Sequence, residues 1–265
     1  MILNINCQFD SGNINVIDSQ SNPVKLAIRH DHQSDFYQWF HFCVSGAQVQ
    51  EKLQFSLTNA AGAAFAEGWN NFQVVASYDR QEWFRVATRY EQGELIFDHA
   101  AEYDQVWYSF FTPYSWERHQ DLIAWAQTSP VCSLETLGNT LDNRPLSLLT
   151  VGQAGLGKRN IWLTARQHPG ETMAAFAIEG LLQKLLDPAD ACGRKLLENA
   201  VFYIIPNMNP DGSVRGHLRT NAAGVNLNRE WDSASMERSP EVYLTQQKMR
   251  ETGVDLFIDC HGDEE

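Results

Sequence analysis

Long apolar runs, cysteines and positive charge are all scarce in this chain of 265 residues, and each scarcity excludes something. No stretch approaches the roughly eighteen consecutive apolar residues of a membrane-spanning helix. The opening Met1-Ile2-Leu3-Asn4-Ile5-Asn6 has no basic region and no sustained apolar run, so neither membrane spanning nor secretion is supported. The five cysteines, Cys7, Cys43, Cys132, Cys192 and Cys260, are odd in number and scattered. They make no disulfide framework, and a reducing cytoplasm is the simplest compartment. Lys and Arg number 20 against 33 Asp and Glu, a formal charge of -13, which argues against nucleic acid or an anionic membrane surface as the main partner. What remains, 43% hydrophobic and 20% charged, is the composition of a soluble globular protein with chain for one large domain or two smaller ones. The sequence says nothing of oligomeric state.

The patterning splits near residue 113. Before it, short β-branched and aromatic runs recur between turn signals, at 14–17, 24–28, 37–44, 53–57, 74–78, 83–87, 95–97 and 106–111. That spacing predicts an antiparallel β-sandwich over residues 1–112, whose rings form a small β core rather than a binding platform. After Ser115, a plausible N-cap, the period changes. Helices are predicted over 116–127, 173–186 and 241–250, with strands over 131–137, 146–151, 161–165, 201–205 and 254–258. Such alternation gives an α/β fold, a mixed sheet flanked by helices, over residues 116–265. Residues 206–231 read as one long loop.

Chemistry gathers at three places. His168-Pro169-Gly170-Glu171 puts a histidine and a glutamate three apart after the 161–165 strand, and His261 follows the 254–258 strand. Either half alone is a common accident. Together, two imidazoles and a carboxylate form a His2Glu set that leaves a fourth tetrahedral position open for chemistry. Between them Arg215, Arg219 and Arg229 cluster in an otherwise acidic chain, which suits capture of a carboxylate. Gly152 to Lys158 fits a phosphate-loop pattern, but Arg159 stands where Ser or Thr is needed and a strand follows, so a glycine-rich hairpin turn is expected. Cys260 is expected to be a small buried residue rather than a nucleophile. His30, His32, His41, His99 and His119 have no ligand spacing.

HPGE, Asn209-Pro210-Asp211-Gly212, Gly216-His217-Leu218-Arg219, Asn226-Leu227-Asn228-Arg229-Glu230-Trp231 and Asp259-Cys260-His261-Gly262 occur in that order. Over residues 116–265 the chain thereby resembles the zinc metallocarboxypeptidase family, in its cytosolic carboxypeptidase branch. The resemblance implies that His168, Glu171 and His261 hold Zn2+. It implies further that Asn228 and Arg229 grip the terminal carboxylate of a peptide or protein substrate, and that Arg219 polarises the scissile carbonyl as a catalytic cation. A preceding β domain belongs to that branch, and Phe111 to Ser115 resembles the join. Two departures stand out. Asn226 replaces a common aspartate partner of the first zinc histidine, from which weaker zinc affinity is expected. The family's general-base glutamate lies well downstream of the DxHG segment, and Glu264 and Glu265 sit too close behind His261 to take that role. The expectation is a zinc carboxypeptidase domain lacking its C-terminal part. The alternatives are a zinc-dependent deacylase of N-acyl amino acids, or a non-catalytic zinc and carboxylate binding protein should the chain end at 265.

Overall fold

The computed structural model describes residues 3–47, 50 and 52–262, so Glu264 and Glu265 lie outside the described residues. Two compact units result, one drawn from residues 3–113 with 214–218, the other from 114–213 with 219–262.

Strands of the first unit are β1 (Asn4–Asn6), β2 (Asn15–Asp18), β3 (Val24–Ala27), β4 (His41–Ser45), β5 (Lys52–Leu57), β6 (Val75–Ser77), β7 (Phe84–Arg85), β8 (Ala87–Glu91), β9 (Glu94–Ala100) and β10 (Gln105–Ser109). They form two sheets, ordered β1-β4-β10-β6-β7 and β2-β3-β5-β9-β8. Alternation turns one face of each inward. Phe42 and Tyr108 of the first sheet meet Phe55 and Phe97 of the second at ring separations of 5.1 to 6.5 Å. All four are fully buried, each worth roughly 1.5–3 kcal/mol of burial. The predicted ring-filled core is therefore present. One pairing departs from an all-antiparallel sandwich, since β3 and β5 run parallel with Val24 opposite Phe55. β1 and β8 carry polar, half-exposed residues, and their pattern did not mark them as strands.

In the second unit α1 (Trp116–Ala126) is followed by β11 (Cys132–Asn139), β12 (Pro145–Val151), β13 (Arg159–Ala165), α2 (Thr172–Leu186), α3 (Ala191–Asn199) and β14 (Ala200–Ile205). A short helix α4 (Pro210–Arg215), α5 (Pro240–Thr252) and β15 (Leu256–Cys260) complete it. The sheet order is β11-β12-β14-β13-β15, with β13 parallel to β14 and β15 and the rest antiparallel. This is the expected mixed sheet. Every residue of β14 is buried because both faces are covered. Phe202 and Ile204 pack with α1 and α2, while Val201, Tyr203 and Ile205 share the opposite layer with Val242 of α5.

Caps explain the helix starts. The Ser115 hydroxyl accepts from the Arg118 amide at 3.1 Å, and the Asp190 carboxylate accepts from Gly193 at 2.7 Å. Two expectations need correction. β12 and β13 are not a hairpin, because β14 lies between them, so Gly152 to Lys158 is a crossover turn. The 206–231 stretch is not one loop either, for it contains α4 and a 3-10 turn at Leu227–Arg229. Its start obeys helix chemistry: Pro210 needs no amide partner in a first turn, and Asn209 Oδ1 accepts from the Gly212 amide at 3.0 Å.

Candidate metal and substrate site

Strand β13 ends at Ala165, and the chain turns sharply through Arg166, whose φ is +56°. Its buried guanidinium donates to the carbonyls of Pro169 and Tyr114, at 2.6 and 2.9 Å, and so shapes the HPGE turn from within. Glu171 then occupies the cap position of α2 but makes no cap hydrogen bond. Its carboxylate is engaged elsewhere. His168 Nδ1 lies 2.7 Å from Oε1, His261 Nδ1 lies 2.9 Å from Oε2, and the Gly262 amide donates to Oε2 at 3.0 Å.

Each imidazole is held from behind as well. His168 Nε2 is 3.1 Å from Asn226 Oδ1, and His261 Nε2 is 2.6 Å from Asp259 Oδ2. Asp259 is fixed in turn by the Thr164 hydroxyl at 2.7 Å and by the Gln167 amide, whose oxygen accepts from the Trp231 indole at 2.9 Å. With the outer nitrogens oriented by acceptors, both Nδ1 atoms face the same carboxylate. One donor atom from each of His168, Glu171 and His261 falls within 4.8 Å of the others.

The electrostatics keep the Glu171 carboxyl ionised. Burial by itself would push the Glu171 carboxyl up, yet the hydrogen bonds from His168 and His261 outweigh it and hold the group at about 2. The Asp259 and Glu171 carboxylates together hold the His261 imidazole up at about 10. With Glu171 ionised, two imidazoles and one carboxylate make a donor set that suits a divalent ion of intermediate softness.

The arginine segment runs beside this cluster. Arg219 Nη1 is 3.5 Å from His168 Nε2. Asn226 Oδ1 also accepts from the Asn228 amide at 3.0 Å, and the Asn228 side-chain nitrogen lies 3.4 Å from His261 Nε2. Arg229 is exposed and donates to the Asn228 carbonyl at 2.9 Å. Arg215, in the last turn of α4, is counted with the first unit. Packing pins the segment at its start: a Cβ on Gly212 would sit 2.4 Å from the Thr220 carbonyl oxygen and 2.5 Å from the Pro169 ring. Only glycine fits there.

Sequence reasoning missed Asp259, Gln167 and Arg166. Asp259 was findable, because residues two apart on a strand share a face and Asp259 therefore lies beside His261. Cys260 points the other way, half-buried against the α2 side of the sheet.

Residues 5–111 match the cytosolic carboxypeptidase N-terminal domain, and residues 119–261 match zinc carboxypeptidase. A metallo-carboxypeptidase from Pseudomonas aeruginosa, solved in complex with (2-guanidinoethylmercapto)succinic acid, is 44% identical at a TM-score of 0.94, over 99% of this chain and 70% of that one. An uncharacterised protein of Zymomonas mobilis is 48% identical across 100% of this chain and 68% of its own length. Mouse cytosolic carboxypeptidase 6 is 28% identical over 96% of this chain, which spans only 52% of the mouse protein. On its motifs, its fold and these matches, the chain belongs to the zinc carboxypeptidase family and carries the cytosolic carboxypeptidase N-terminal domain ahead of the peptidase region.

Proposed function

We propose that this chain is the metal-binding and carboxylate-gripping part of a zinc metallocarboxypeptidase that hydrolyses the C-terminal peptide bond of peptides or proteins. The observation that carries the reading is the pair of Nδ1 atoms converging on the two oxygens of Glu171. On this reading His168, Glu171 and His261 hold Zn2+, which supplies Lewis-acid polarisation of the scissile carbonyl and an activated water. Arg219, beside His168, donates to the oxygen on which charge develops. Asn228 and Arg229 take the substrate's terminal carboxylate, the arginine through paired N–H donors. The Pseudomonas relative's ligand is a succinic acid derivative, and its two carboxylates suit the same kind of donors. No described side chain is given the general-base role. We further take residues 1–112 as the β-sandwich domain, residues 116–265 as the peptidase domain, and the cytoplasm as the compartment. The last rests on the cytosolic relatives and on there being no described helix long and apolar enough to cross a membrane.

Metal analysis paired with a peptide assay tests this. The protein should carry about one zinc per chain, and Glu171→Gln should lose it with the circular dichroism unchanged. The full-length protein should trim peptides with a free C-terminus and leave C-terminally amidated ones intact. Full zinc content in Glu171→Gln, or equal cleavage of amidated peptides, would sink the assignment. Release of an N-acyl amino acid's acyl group without peptide trimming would favour the deacylase instead.

A further inference from the structure

The sandwich core does not use all of the first unit's aromatic residues. Tyr78, Phe84 and Tyr103 line a cleft of about 900 Å³ built from the β6–β7 turn, β7 and the β9–β10 connection. Phe84 and Tyr103 are 38% and 60% exposed, unusual for large rings when so many neighbours are buried. Tyr78 holds them together, with ring separations of 5.3 Å to Phe84 and 4.9 Å to Tyr103. It is itself fixed, since the Glu102 amide donates to its hydroxyl at 3.0 Å. The rings are thus ordered before any ligand arrives, which lowers the entropy cost of binding.

Charge around the rings has one sign. Asp79, Glu82, Glu102 and Asp104 line the same cleft, and no lysine or arginine does. Among the described residues Glu82, Glu102 and Asp104 have no salt-bridge partner. Asp79 is held ionised, because the Gln81 and Glu82 amides donate to its carboxylate at 2.8 Å each. His99 adds no compensating charge. Its two ring nitrogens meet the Tyr78 and Tyr108 hydroxyls, and burial keeps its pKa below the ordinary value. Exposed aromatic faces ringed by unpaired carboxylates attract cations on both counts, the ring quadrupole and the net charge.

We propose that this cleft docks a polypeptide segment bearing lysine or arginine side chains, whose cations lie against the Tyr103, Phe84 and Tyr78 rings and face Glu82, Glu102 and Asp104. A polypeptide fits better than a lone amine because the cleft has room for several side chains and opens to solvent along exposed residues. The cleft shares no residue with the His168, Glu171 and His261 set, and its failure would leave the carboxypeptidase reading untouched.

Titration calorimetry with N-acetylated, C-amidated hexalysine tests the proposal, since that probe has no free carboxylate for Asn228 and Arg229. Saturable binding is expected, weakening as salt rises. Tyr103→Ala should weaken it about fivefold, as should the pair Glu102→Gln with Asp104→Asn, while zinc content stays unchanged. These positions are exposed, and circular dichroism will verify that the variants fold. No binding, or equal binding by the variants, would overturn the proposal. So would equally tight binding of acetylated hexaglutamine amide or a neutral oligosaccharide, which would make the rings a simple stacking platform. Spermine binding as tightly as the peptide would overturn its assignment to a polypeptide.

Discussion

Two side chains, one half-buried and one fully buried, carry consequences that single substitutions can read. Asn226 Oδ1 serves both His168 Nε2 and the Asn228 amide, so an aspartate there can keep both bonds and add a negative charge. The charge makes the far nitrogen's partner a carboxylate, as Asp259 already is for His261. Asn226→Asp is therefore expected to tighten zinc about tenfold, measured by competition with a chromophoric chelator. Unchanged affinity would show that the asparagine dipole suffices. Glu241 is fully buried at the start of α5, with Oε2 accepting from Asn221 at 3.3 Å and Oε1 without a partner among the described residues. Burial, reinforced by Asp211 and Asp142, pushes its carboxyl from 4.5 up to about 8. The folded state then holds a proton that the unfolded chain releases, so this contribution is complete below the ordinary range and is lost as pH climbs toward 8. Stability should fall by up to about 1.4 kcal/mol per pH unit between those values. Urea unfolding at pH 5, 6.5 and 8, in chelator to remove metal linkage, should reveal that slope, and Glu241→Gln should flatten it.

At the scale of elements, Gly212 shows how a turn residue holds a functional segment. Its missing Cβ lets α4 lie against the Thr220 carbonyl, the chain leading directly from Arg219. In Gly212→Ala the backbone must shift, because the obstructing atom is a carbonyl oxygen rather than the end of a flexible side chain. A loss of roughly 2–3 kcal/mol is expected in denaturant unfolding. Peptide trimming by the whole protein should drop with it, through the displaced Arg219. Elements with local signatures were legible from sequence: Ser115 announced α1, and the unbroken apolar run at Val201–Ile205 announced a strand covered on both faces. What depended on distant partners was not. Nothing in Gly152 to Lys158 says that β14, which begins at Ala200, will insert between the strands on either side. Likewise, Val24 cannot reveal a parallel partner at Phe55. α4 was hidden by its composition, since Asn, Pro, Asp and Gly are turn formers that here build a first helical turn. The convergence of His168, Glu171 and His261 was readable because the histidines of HPGE and DCHG each follow a strand of the same sheet. Arg166 was not, since its work lies in a positive φ and two carbonyls that only the folded chain brings near.

For the molecule as a whole, the outer edge of β15 is where the physics is least settled. Leu256, Phe257 and Ile258 are 49%, 38% and 41% exposed, although β15 pairs in parallel with the well-buried β13. Parallel strands normally have both faces covered. Here apolar side chains project on both sides, and among the described residues no strand pairs with the outer edge. Such an edge is a template for pairing with another chain. Against that stands a charge of -13, which keeps copies apart at low ionic strength. A polypeptide of these 265 residues alone should therefore be monomeric at low salt and associate reversibly as screening increases. Sedimentation velocity across a range of concentrations at about 20 and 300 mM salt reads this balance. Leu256→Lys places a charge on the edge, away from the metal cluster, and should return the high-salt species to monomer. A wild-type polypeptide that stays monomeric at high salt and high concentration would mean that strand twist already protects the edge.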